Sequence, residues 1–213
     1  GMVTVGMAGH PASGLADGLL RLASVTVVPM TIRTLVDLLG EAAVVSDIDP
    51  LTGLGNPRYL RQKLSDSLRQ IESRGGAVCY LLIGLPEATQ LRSRYGERFF
   101  NELLHSAARR LQQLVRPLDV LTRLDDNHFG LITLLEDLQE CSPSSFKRLH
   151  EGLNLKAFKT SEGFITLRAG ISLVGIDAKA LPTDPEQLIL HAQKLLAESY
   201  ASGRVAAMRL PLP

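Results

Sequence analysis

Apolar residues recur along the chain at helical spacing or in near-continuous runs, with turn-rich stretches between them. Residues 31–45, TIRTLVDLLGEAAVV, place Ile32, Leu35, Val36, Leu39, Ala42 and Ala43 on one helical stripe. Such a helix suits pairing with a partner or packing back on the domain after it. SDIDPLTGLGNPRYL then interrupts the rhythm with Pro50, Gly53 and Gly55. Asn56 before Pro57 is a helix start, an N-cap with proline at the first helical position. Leu60, Leu64, Leu68 and Ile71 carry that helix to Gly75-Gly76. AVCYLLIGL (77–85) is the continuous apolar run of a central strand buried on both faces.

The pattern next predicts a short helix over 87–94 and a long one over about 97–115, with Phe99, Phe100, Leu103, Leu104, Ala107, Ala108, Leu111 and Leu114 toward the core. TRLDDNHFGLI (122–132) reads as two strands joined by a tight polar turn. An amphipathic helix over 143–154, a strand over 164–174, a helix from Asp184 or Pro185 to about 200 and a last strand over 204–210 complete the order. That order predicts an α/β fold of the α+β sandwich kind, with helices covering a largely antiparallel sheet. Residues 1–46 are expected to be an N-terminal segment ending in a helix, a linker or the remnant of an upstream domain, and 47–213 the domain proper. Gly1 ahead of Met2 reads as a residue left by tag removal.

Composition narrows the function. The 213 residues are 45% hydrophobic and 21% charged, with a net charge of +1, so no global field argues for nucleic acid or a membrane surface. Any anion site must be local. The longest apolar-leaning stretch near the start, LASVTVVPMTI, is broken by Pro29 and too short to span a bilayer. Cys79 in an apolar run and Cys141 beside a Ser/Pro loop read as separate thiols without metal-like spacing, and a reducing cytoplasm is the expected setting. His10, His105, His128, His150 and His191 show no ligand spacing, so no metal is expected.

The turn itself raises a question, because Asp125, Asp126, Asn127 and His128 suit either a solvated hairpin tip or an active site and its remnants. DPLTGLGNPRYL (49–60) resembles the opening signature D-x-L-T-G-L-x-N-R-R of the diguanylate cyclase (GGDEF) family, with Pro57 in place of an arginine. The resemblance runs from about 47 to 210, ending at GRVAAM. It implies an adenylyl-cyclase-like palm that condenses two GTP into cyclic di-GMP with two Mg²⁺ ions clamping the triphosphate. The implied metal-binding carboxylates fall on Gly84 and Asn127. The paired glycines of the hairpin motif are Asp125 and Asp126, its second acid is His128, and Phe129 alone is kept. The family's guanine-binding residues fall on Arg92 and Asn101, its late phosphate-binding lysine on Tyr200, and the following arginine on Arg204. Tyr95-Gly96 matches an aromatic-glycine turn, with Glu97 for its histidine. The resemblance therefore implies a degenerate member without catalytic residues, metal or cofactor.

Nine residues before the first motif position the chain reads Arg116-Pro117-Leu118-Asp119, the offset of the family's R-x-x-D inhibitory site for cyclic di-GMP. An arginine fork can hold a guanine edge or phosphate, and Asp119 can accept from guanine N–H groups. Arg148 in SFKRLHEGL stands where the family adds a second arginine. A plain helix-to-strand connection accounts for the same residues: Arg116 favouring the helix dipole, Pro117 stopping the helix, Asp119 facing water. A second copy of the pattern, Arg123 to Asp126, lies at the wrong offset. The expected function is a non-catalytic regulatory domain that binds cyclic di-GMP through Arg116, Asp119 and Arg148. The rivals are a ligand-free interaction or dimerisation module, a GTP-binding regulatory domain and a residual cyclase. A protein partner or self-association is expected.

Overall fold

Asn56 opens the first helix by local chemistry: its side-chain oxygen accepts from the Tyr59 N–H at 2.9 Å, and Pro57 follows at a position that needs no donor. That helix, α1 (Pro57–Arg74), buries Leu60, Leu64, Leu68 and Ile71 along one face. The structure, a computed structural model, describes residues 46–180 and 183–210, so the stripe read over 31–45 lies outside the described residues.

β1 (Ala77–Gly84) is buried along its whole length, and alternation sends its side chains to two different cores. Cys79, Leu81 and Ile83 pack with α2 (Ala88–Leu114) and α3 (Lys147–Asn154). Val78, Tyr80 and Leu82 pack on the other face with α1 and α4 (Pro185–Ser202). Burying a leucine in either layer stabilises the fold by roughly 2 kcal/mol. The two helices read on either side of residue 96 are both present within α2 and meet at Gly96, whose φ of 84° and ψ of 176° lie outside the helical region.

The central sheet also holds β2 (Val120–Arg123) and β3 (His128–Leu135), the two arms of the hairpin. The run read as one strand over 164–174 is divided. Its start pairs in a small separate hairpin, β4 (Phe158–Thr160) with β5 (Gly163–Ile165), and only β6 (Gly170–Asp177) enters the main sheet. Arg110 secures the small hairpin by lying 4.0 Å above the Phe158 ring and donating to Ala157 O at 2.6 Å. With β7 (Ala206–Leu210) the strand order is β2-β3-β1-β6-β7, antiparallel except for the parallel β6–β7 pair. This is the predicted mixed α/β sandwich with a mostly antiparallel sheet between helices. α3 begins at Lys147 rather than 143, because Ser142–Ser145 form hydrogen-bonded turns first. No described helix is long and apolar enough to cross a membrane.

The cysteines correct the sequence reading. Cys79 and Cys141 are joined in a disulfide with Cα atoms 5.7 Å apart. The cause is topological. β3 runs antiparallel to β1 with Leu135 opposite Ala77, so the chain leaving β3 returns through a 3-10 turn (Leu138–Glu140) to the start of β1. Disulfides belong to oxidising compartments, so the cysteines no longer argue for a reducing cytoplasm.

Candidate functional site

The turn-rich stretch before α1 works as a clamp on the hairpin. The Asp49 carboxylate accepts from Thr52 N at 2.8 Å and from the Thr52 hydroxyl at 2.6 Å, and pairs with Arg123 at 3.1 Å. Burial alone would raise its pKa, but the Thr52 donors and the Arg123 guanidinium outweigh that and hold it below the ordinary carboxylate value. Gly55 completes the clamp by accepting from Arg123 N at 2.8 Å and donating to Leu121 O at 3.3 Å. Residues 49–55 therefore splint β2 and set the base of the turn.

At the tip, every charged group is engaged. Asp125 accepts from the backbone N–H groups of Asn127 and His128 and meets His128 Nδ1, each at 2.9 Å. Burial pushes its pKa up, but these contacts with His128 and Asn127 bring it below the usual carboxylate value. Asp126 is held by two arginines, Arg92 at 2.7 Å and Arg123 at 3.3 Å. Arg92 also bonds Glu97 at 2.6 Å across the Gly96 kink and lies 5.1 Å over the Phe100 ring. An ion pair thus bridges α2 and the hairpin, while Asn101, half-buried farther along α2, takes no part in it. Arg204 lies in the turn before β7, not in the strand, and its carbonyl accepts from the Ser199 hydroxyl at 2.6 Å.

Tyr200 was legible in the sequence only as a missing lysine. The structure gives it a position with consequences. Gly84 ends β1 opposite Gly170 of β6, and the Tyr200 side chain lies across both. A Cβ built on Gly84 would stand 1.8 Å from the Tyr200 hydroxyl, and one on Gly170 would stand 2.4 Å from the ring. The phenol pKa is pushed up to about 12, by burial first and then by the Asp125 charge, so it stays neutral. Tyr200 lines both a cleft of about 710 Å³ beside Pro86 and Glu87 and a recess of about 330 Å³ beside Asp125 and His128. A magnesium-bound triphosphate does not fit this donor set. Gly84 and Asn127 offer no carboxylate, Asp125 and Asp126 are already paired, and among the described residues no cluster of three candidate ligands forms.

Arg116, Asp119 and Arg148 come together at a separate place. They line one cavity of about 360 Å³ between the end of α2, the hairpin and α3. Asp119 is half-buried, rather than turned wholly to water, and it closes the turn: its carboxylate accepts from Arg116 N at 2.8 Å, and its own N–H donates to Arg116 O at 3.1 Å. Arg148 donates to Leu114 O at 3.0 Å, capping a carbonyl that α2 leaves without a helical partner. The exposed Arg116 guanidinium has no hydrogen bond or ion pair among the described residues.

Comparison with known proteins places this geometry in a family. Residues 46–205 match the family described as diguanylate cyclase, GGDEF domain. The chain belongs to the GGDEF family. Response regulator PleD of Caulobacter vibrioides is 29% identical over 164 residues, covering 75% of this chain and 35% of PleD, so the chain spans about a third of that relative. Among solved structures, the FimX GGDEF domain of Pseudomonas aeruginosa superposes with a TM-score of 0.68 at 18% identity, covering 78% of this chain and 99% of that one. The GGDEF domain of DgcB from Caulobacter crescentus, solved in complex with c-di-GMP, superposes with a TM-score of 0.64 at 17% identity, covering 76% and 92%. In this GGDEF domain the turn between β2 and β3 carries Asp125-Asp126-Asn127, with His128 and Phe129 following in β3.

Proposed function

We propose that this GGDEF domain makes no cyclic di-GMP and instead binds it as a regulatory receptor, through Arg116, Asp119 and Arg148. The observation that carries the receptor reading is the Arg116 guanidinium, unpartnered among the described residues, on a cavity that Asp119 and Arg148 also line. A guanidinium that binds two phosphate or guanine acceptors gains about 1.5–3 kcal/mol per charge-assisted bond. Arg148 is pre-positioned by its bond to Leu114 O, which lowers the entropy lost on binding. The DgcB domain crystallised with c-di-GMP supports the choice of ligand.

The loss of catalysis rests on the Tyr200 hydroxyl beside Gly84 and on the Arg92–Asp126 bridge across the former nucleotide side of the turn. Calorimetric titration of cyclic di-GMP, with GTP and Mg²⁺ in parallel, tests the reading. Micromolar or tighter binding of cyclic di-GMP alone is expected, and no product is expected from GTP. Product formation would overturn the inactive reading. Absence of heat from either ligand would leave an interaction module and turn attention to a protein partner.

A further inference from the structure

Thr133 lies at the bottom of the same cavity. It sits in β3 beside Cys79 of β1, is 2% exposed, and its hydroxyl has no hydrogen-bond partner among the described residues. Buried hydroxyls are nearly always satisfied, because an unsatisfied one forfeits its bonds to water without replacement. Around it the floor is apolar: Leu131, Leu135 and Leu149 are all buried, and Phe146 lines the wall. The charged groups, Arg116, Arg148 and Glu140, are exposed and mark the rim. The cavity is thus graded from charged and wet at the mouth, where the Arg116 guanidinium has no partner among the described residues, to apolar at depth, ending on one unmet polar atom.

A ligand matched to that gradient carries anionic groups at one end and a flat, largely apolar body with a polar edge at the other. A nucleotide has that construction. We infer that one purine base of the ligand enters the cavity edge-first, with its phosphate left at Arg116 and Arg148, and that the Thr133 hydroxyl bonds the edge of the inserted base. This rests on the receptor reading above and adds a specificity-determining residue that lies below the surface R-x-x-D pair.

The test is calorimetric titration of cyclic di-GMP into the wild-type protein, Thr133→Val and Thr133→Ser. Valine keeps the shape and removes the hydroxyl, whereas serine keeps the hydroxyl. Thr133→Val is expected to weaken binding by about five- to tenfold, the loss of one hydrogen bond. Thr133→Ser is expected to stay near wild type. Without ligand, Thr133→Val is expected to melt at or above the wild-type temperature, because it replaces an unsatisfied hydroxyl with a methyl. Unchanged affinity in Thr133→Val, as when a water serves the hydroxyl, would overturn the inference and leave the receptor reading standing. Equal weakening in both variants would also overturn it, by showing that the shape of the floor matters and the hydroxyl does not. No binding by the wild-type protein removes the receptor reading and this inference together.

Discussion

Two copies of one four-residue pattern lie seven positions apart, Arg116 to Asp119 and Arg123 to Asp126, and the fold treats them in opposite ways. Arg123 is 12% exposed and fully used: it pairs with Asp49 and Asp126, and its Nε donates to Asp125 O. Arg116 is exposed, and its guanidinium bonds nothing among the described residues. In the first copy the aspartate supports the turn backbone; in the second it pairs with the arginine side chain. The lesson is that a spacing marks a site only where its charges remain unspent. The hairpin end of the molecule has turned its polar groups on one another, whereas the far end of α2 has left a cation facing a cavity.

That contrast can be broken at its strongest point by refilling the hairpin end. Gly84→Asp, which restores the carboxylate the family resemblance implies, is expected to lower stability by about 3 kcal/mol, since its Cβ meets Tyr200, itself 38% exposed, and the buried Leu196 side chain beside it. The melting temperature is expected to fall by roughly 10 °C, with most of the loss recovered in a Gly84→Asp, Tyr200→Ala double variant. Recovery failing in the double variant would show that Tyr200 is not what excludes a side chain there.

Next in size is the pair of arginine deletions. Arg123→Ala is expected to cost about 2 kcal/mol of stability, by stranding the largely buried Asp49 charge, and to leave cyclic di-GMP affinity unchanged. Arg116→Ala is expected to do the reverse, weakening cyclic di-GMP about thirtyfold, or about 2 kcal/mol, with no change in melting temperature. Titration and thermal melts on both variants decide the matter, and similar phenotypes for the two would erase the distinction between the copies.

A smaller effect is expected from acid. The folded pKa values of Asp49 and Asp125 both lie below the unfolded carboxylate value of 3.8, so their contribution is full above that pH. It is lost as pH falls through the lower folded values. Chemical denaturation between pH 3 and 6 is expected to show a plateau that declines below about 4, and Asp49→Asn is expected to flatten the decline. Smallest is Asp126→Ala: its ion pairs lie on an exposed carboxylate, and the loss is expected to be no more than about 0.5 kcal/mol by denaturant titration.

Much of the fold is readable along the chain itself. The unbroken apolar run of β1 and the four-residue stripe of α1 are local patterns with one stable placement each, and both elements form where the pattern put them. Other features are not readable there. β4 and β5 are three residues each, too short for alternation to register, and they exist because Arg110 from α2 holds their approach. The spacing of Cys79 and Cys141 says nothing of their meeting, which follows from the antiparallel placement of β1 and β3.

The sequence by itself determined the layers of this GGDEF domain, because burial of periodic apolar faces is a local demand repeated along the chain. It also supplied the charged and polar residues that the family resemblance singles out. What those residues do was decided only in three dimensions. Whether Arg116 is free and Arg123 spent, whether Tyr200 fills the space beside Gly84 and Gly170, and whether the Thr133 hydroxyl finds a partner all depend on atoms far away along the chain. Charge and hydrogen bonding act over a few ångströms of space, and the sheet that brings those atoms within reach is a property of the whole fold.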